Sequence, residues 1–189
     1  VYSALTREYG NKKEVVQHFY HKDTSVPIWA IFEVLTLGEF GNFYSCLNYG
    51  VRRAVSIKLG FHQPSDSDAF LTKKIIFAIK ELRNAVAHND VIFDTRFSRS
   101  SIDKSLSSSL EIVTRIKNIT FKSITDYIIL VVYLLKCFGV PKGDMRRFVV
   151  EFQDNIETLR KQIPTSLFTR IVLTDTRPKL KSLQEYIRK

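Results

Sequence analysis

Residues 66–90 read Asp66-Ser67-Asp68-Ala69-Phe70-Leu71-Thr72-Lys73-Lys74-Ile75-Ile76-Phe77-Ala78-Ile79-Lys80-Glu81-Leu82-Arg83-Asn84-Ala85-Val86-Ala87-His88-Asn89-Asp90. Ile75, Ile79, Leu82 and Val86 recur at spacings of four, three and four, the period of one helix face. Asp66 or Ser67 offers a side-chain oxygen to the free N–H groups of a first turn, and Asn89-Asp90 ends the run. The stretch predicts a long amphipathic helix that reaches about Ala87.

The same reading extends outward. Val15, Val16, Phe19 and Tyr20 form an apolar stripe within residues 11–23. Ser25-Val26-Pro27 starts a further helix, with proline in the first turn where its missing N–H costs nothing. Ile28 to Leu37 is apolar apart from Glu33 and Thr36, and Gly38 and Gly41 are read as bracketing a bend before Phe43. A basic helix runs from Val51 to Leu59. Residues 60–67 are a loop, and residues 94–109 are a polar stretch read as a second loop. Ser108 and Glu111 make a capping box for a helix over 109–119. Helices over 123–138 and 143–162 follow, the first deeply buried. Leu180, Leu183 and Ile187 stripe the basic tail. No strand alternation is sustained. The expected fold is all-α, a bundle of about seven helices. The expected organisation is one helical domain over 1–163, with a C-terminal appendage over 164–189 packed on it.

Composition narrows the class. Apolar residues make up 44% of the 189, enough for a substantial core. Seven Gly and five Pro favour long helices with short connections. A net charge of +10 points to a polyanionic partner, nucleic acid above all. Cys46 and Cys137 lie in apolar surroundings without CxxC or Cys/His ligand spacing. They are read as reduced core residues of a cytoplasmic protein, with no zinc site, no other metal and no cofactor. No secretory leader pattern opens the sequence as given. The apolar run Tyr127 to Leu135 is about half a membrane span, so no membrane partner is expected.

The chemistry-bearing residues stand at the end of the long helix. Arg83 and His88 are five apart, with Asn84 directly after the arginine. Histidine moves protons near neutral pH because its unperturbed pKa is about 6.5. Arginine offers a permanently charged planar fork matched to phosphate oxygens. RNA carries its own nucleophile, the 2′-hydroxyl, so an enzyme need only remove that proton, stabilise the phosphorane and protonate the departing 5′-oxygen. On an unbroken helix Arg83 and His88 stand roughly 140° apart, whereas Asn84 and His88 share a face. The expectation is that the helix ends near His88 and lets the imidazole swing toward Arg83, with Asn84 orienting the ring or a phosphate. One histidine cannot be base and acid together, so a twofold homodimer with two facing motifs is the economical arrangement.

Several segments resemble the Abi-like (AbiD/AbiF) family of phage abortive-infection proteins, whose helical domain is of the HEPN type. They are Val26-Pro27-Ile28-Trp29 followed by Ile31 to Gly38, then Leu82-Arg83-Asn84 with Ala87-His88-Asn89, and the apolar helix from Tyr127 to Lys136. Arg83-Asn84-x3-His88 matches the R-N-x3-H signature of HEPN ribonucleases. The resemblance implies a HEPN-like bundle, a role in defence against phage, and metal-independent cleavage of RNA. Arg83, Asn84 and His88 are the implied catalytic residues, and Asn89, Trp29 and Glu33 carry over more weakly. Residue 90 is Asp, so the R-x4-H-x-Tyr form is absent and no nucleotidyltransferase antitoxin is expected.

Arg52, Arg53, Lys58, Lys73, Lys74 and Lys80, with Asn89, are the candidate RNA contacts. Scattered cations bind phosphate largely without regard to sequence. Glu33, inside an apolar run, calls for a buried partner among Arg52, Arg53 and Arg83. His18 and His21 are read as solvated or packing residues, and His62 as incidental. RNA, as substrate or as a neutralising partner, is the expected ligand. A non-catalytic RNA-binding protein is the second reading. A protein-interaction domain with a structural motif is the third.

Overall fold

The computed structural model describes residues 1–61, 66–93, 95, 97–98 and 102–189. His62, Arg96 and Arg99 lie outside the described residues. Among the described residues there are eleven helices and no strand. The fold is an all-α bundle, with more and shorter helices than the seven or so that periodicity suggests. No helix among the described residues is long and apolar enough to cross a membrane.

α8 (Ile124–Cys137) is the central helix. Tyr127, Ile129, Leu130 and Val132 are fully enclosed, because the helix is predominantly apolar and neighbours cover its first two turns. α6 (Leu71–Ala87), α7 (Lys104–Thr114), α9 (Lys142–Gln162) and α11 (Thr176–Arg188) surround it. Leu180, Leu183 and Ile187 of α11 are buried in that same core. α10 (Thr165–Ile171) links α9 to α11. The α11 dock is held by a buried ion pair: Lys179 Nζ lies 2.7 Å from Asp126 of α8 and 2.8 Å from Asp175. Asp126 also accepts the N–H groups of Thr120 and Phe121, which pins the tight segment before α8.

The amino-terminal helices α1 (Tyr2–Gly10), α2 (Glu14–His21), α3 (Ile28–Val34) and α4 (Leu37–Cys46) form a second group. The apolar run from Ile28 does not continue to Leu37 as one helix. It breaks at Leu35-Thr36, because Thr36 and Glu39 form a capping box that starts α4. Gly38 and Gly41 therefore do not bracket a bend. They lie inside α4 and let it approach α6. A Cβ at Gly41 would stand 2.7 Å from Phe77 Cε2 and 3.2 Å from Ile76, and one at Gly38 would stand 3.3 Å from the Lys80 stem. The two helices run antiparallel, with the Tyr44 hydroxyl 3.0 Å from the carbonyl of Ala69 beyond the start of α6. Gly41→Ala should therefore lower stability by about 1–3 kcal/mol through overpacking. Alanine's better helix propensity, worth up to about 1 kcal/mol, acts in the opposite direction. Denaturant unfolding of the variant tests this.

Glu33 is exposed and makes no ion pair with Arg52, Arg53 or Arg83. The buried pair expected of it is absent because α3 turns that residue outward. Glu39 takes the ionic role instead. Arg7 of α1 grips it with Nη1–Oε1 at 2.7 Å and Nη2–Oε2 at 3.2 Å. The Arg7 hydrogen bonds, with the Thr36 N–H, hold the Glu39 carboxyl down at about 2. A carboxyl depressed in the folded state contributes stability above its ordinary value of 4.5 and loses it as pH falls toward about 2. Wild-type protein should lose stability over that window faster than Glu39→Gln, as read by thermal unfolding across pH.

Other local expectations also shift. Ser108 is no helix cap. α7 begins earlier, where Asp103 accepts from Ser105 N at 2.8 Å, so part of the 94–109 stretch is helical. Cys46 is exposed rather than a core residue, while Cys137 is half-buried. Burial pushes the Cys137 thiol up. Val86 is 61% exposed, because the buried face of α6 turns through Ala78 and Ala85 instead.

Candidate functional site

α6 carries the site, and local sequence dictates how it ends. Asp66 Oδ1 accepts the N–H groups of Phe70 and Leu71, so the expected acidic cap is made from just outside the first turn. At the other end His88 is the C-cap. Asn89 takes a left-handed conformation (φ 56°), which asparagine tolerates better than most residues. Asp90 N–H then reaches Ala85 O at 2.8 Å and Asn89 N–H reaches Val86 O at 3.2 Å, the paired bonds of a Schellman motif. Asn89 is thus the residue that stops the helix and leaves the exposed His88 at its rim.

Two clefts open on either side of a ridge made by Lys80 and Asn84. One, of about 510 Å³, is lined by Leu35, Thr36, Leu37, Gly38, Lys80, Arg83 and Asn84. The other, of about 620 Å³, is lined by Lys80, Glu81, Asn84, Ala85, His88, Asp90, Val91 and Phe97. The helix does end at His88, yet the imidazole and Arg83 do not converge within one chain. They face different clefts, as the helical angle between them requires.

Asn84 joins the two. Arg83 Nη1 donates to Asn84 Oδ1 at 3.1 Å. Arginine has no acceptor, so the amide oxygen must face it and the two Asn84 N–H donors are left for other partners. Asn84 is half-buried, lines both clefts and shares a helical face with His88.

The other basic candidates divide. Lys80 lines both clefts; its Nζ is 3.0 Å from Glu81 Oε1 and 5.1 Å from the Phe77 ring centroid. Lys73 and Lys74 line a separate cleft of about 490 Å³ at the other end of α6. Lys74 bonds Ser105 Oγ at 2.7 Å and pairs with Asp103 at 3.3 Å. Arg52, on α5 (Tyr49–Lys58), donates to the carbonyls of Leu47 and Asp68 and lies 4.2 Å from the Phe70 ring centroid. Its guanidinium braces the connection between α5 and α6. Arg53 and Lys58 are exposed on α5 and line neither cleft of the ridge.

His18 and His21 are exposed and contact aromatic rings. Among the described residues no three of His, Cys, Asp and Glu cluster as metal ligands. Glu81 was not singled out in the sequence, although its spacing to Asn84 and His88 is helical. Asp90, Val91 and Phe97 complete the His88 cleft from beyond the helix, and no local pattern marks them.

No curated protein and no solved structure matches the chain. Residues 1–94 match the family model described as Abi-like protein. That span holds the α3–α4 segment, the ridge on α6 and the whole of Arg83-Asn84-x3-His88. By this match the chain belongs to the Abi-like protein family.

Proposed function

We propose that this protein is a metal-independent endoribonuclease of the HEPN type, acting in the bacterial cytoplasm in abortive-infection defence against phage. Membership of the Abi-like family supports the defence role. The observation that carries the enzymatic reading is the helix end itself. An exposed histidine is held at the mouth of a cleft, beside an asparagine whose orientation an arginine sets. His88 transfers a proton, Arg83 stabilises the phosphorane and Asn84 positions the phosphate. Attack by the 2′-hydroxyl leaves a 2′,3′-cyclic phosphate and a 5′-hydroxyl. Because Arg83 and His88 open into separate clefts, a homodimer that sets the Arg83 of one copy against the His88 cleft of the other completes the site. Lys80 guides the strand between the clefts, with Arg53, Lys58, Lys73 and Lys74 adding diffuse attraction.

The separation of Arg83 from His88 also favours a second reading. Both could serve only as phosphate contacts for a structured RNA that is bound and never cut. Incubating the protein with pooled single-stranded RNAs in EDTA separates the two. Cyclic-phosphate ends support the ribonuclease. Intact RNA with tight, salt-sensitive binding supports the RNA-binding protein.

A further inference from the structure

One histidine cannot both accept the 2′-hydroxyl proton and protonate the departing oxygen in a single turnover. The His88 cleft contains a second proton-transfer group. Glu81 and His88 are seven residues apart on α6, which places them about 10.5 Å apart along the axis and only about 20° apart around it. Asn84 stands between them, and all three line the one cleft of about 620 Å³. In an in-line displacement the attacking and leaving oxygens lie on opposite sides of phosphorus. A base and an acid two helical turns apart, flanking a phosphate held at Asn84, suit that geometry.

We infer that Glu81 is the general base of this site and His88 its general acid, so that one protomer supplies both proton-transfer groups. The inference rests on the ribonuclease reading above. A Glu81 carboxylate oxygen takes the proton from the 2′-hydroxyl while that oxygen's electron pair forms the new bond to phosphorus. The bond from phosphorus to the 5′-oxygen breaks, its electron pair stays on oxygen, and His88 donates the proton that completes the 5′-hydroxyl. Water then returns Glu81 to its ionised form and His88 to its protonated form. A second histidine is not required, and a partner protomer is needed only for its Arg83.

Several charged groups face Glu81. Lys80 pairs with it at 3.0 Å, and His88 and Asp90 share its cleft. Lys73, Lys74, Asp68 and Asp103 line the adjoining cleft that Glu81 also borders, and the Tyr127 hydroxyl of α8 is close enough to feel its charge. The ion pair with Lys80 dictates the control.

The experiment is a pH–rate profile in EDTA for wild type, Glu81→Gln and Lys80→Gln. Binding is read separately on an RNA carrying a 2′-deoxy residue at the cut site. Wild type should give a bell. Glu81→Gln should lower kcat by 10²–10⁴-fold and remove the acid-side limb while binding the deoxy-substituted RNA within about twofold of wild type. Lys80→Gln breaks the same ion pair, weakens binding and retains both limbs. If Glu81→Gln keeps kcat within about threefold, or keeps both limbs, the inference is overturned and the ribonuclease reading stands. If wild type itself leaves RNA intact, both fall together.

Discussion

RNA exposed to the His88→Ala protein should stay intact under conditions in which wild type cuts it. Loss of a positioned proton-transfer group lowers a rate by about 10²–10⁴-fold. On the proposed mechanism the loss should fall on kcat, since there the imidazole acts on the leaving oxygen and contributes little to holding the strand. Stability should change little. His88 is an exposed C-cap, and the paired backbone bonds from Asn89 and Asp90 that end the helix do not use its side chain. Unchanged thermal unfolding with abolished cleavage is the expected combination. Cleavage that persists in His88→Ala would remove the histidine from the mechanism.

The largest expected stability effect lies far from the site. Asp126 is fully enclosed and Lys179 is 4% exposed, so Lys179→Ala leaves a carboxylate buried without its cation. Removing one partner of a buried pair costs about 3–5 kcal/mol. At roughly 2–4 °C per kcal/mol for a chain of this size, the midpoint of thermal unfolding should fall by about 6–20 °C. The double variant Asp126→Asn with Lys179→Met should recover much of that loss, because no fully enclosed charge remains and Asp175, which also loses its cation, is partly exposed to solvent. Burial works against the Lys179 ammonium, but its bonds to Asp126 and Asp175 outweigh that and raise its pKa above the ordinary lysine value. A lysine raised in the folded state contributes stability fully below that value and loses it as pH rises beyond it. The contribution is therefore intact at neutral pH and decays only in alkali. A double variant no more stable than Lys179→Ala would mean that the uncompensated charge is not the source of the loss.

Sequence and structure agree where the governing physics is local. The span of α6, its acidic cap and its stop at Asn89 follow from hydrogen-bonding side chains within a few residues of each end. The burial of α8, and of Leu180, Leu183 and Ile187, follows from the apolar period. Disagreement begins where a local signal had two uses. Gly38 and Gly41 suit a bend or a close helix crossing equally well, and only the placement of Phe77 and Lys80 against them selects the crossing. Ser108 and Glu111 have capping spacing, but Asp103 caps α7 five residues earlier.

The candidate site divides along the same line. Arg83, Asn84 and His88 were legible because their spacing on a helix is a local fact. So was the angle that keeps Arg83 and His88 apart. Which clefts they face was not legible, since the walls come from Leu35 to Gly38 on one side and from Val91 and Phe97 on the other. The role of Arg52 as a brace required the carbonyls of Leu47 and Asp68 to be in place. By itself the sequence determined the all-α class, the stop of α6 and the order of chemical groups along it, because backbone hydrogen bonding and side-chain period act over a turn or two. Tertiary structure alone decided that Glu81 shares a cleft with His88 while Arg83 faces another, because a cleft is made by the packing of segments that the chain does not join locally.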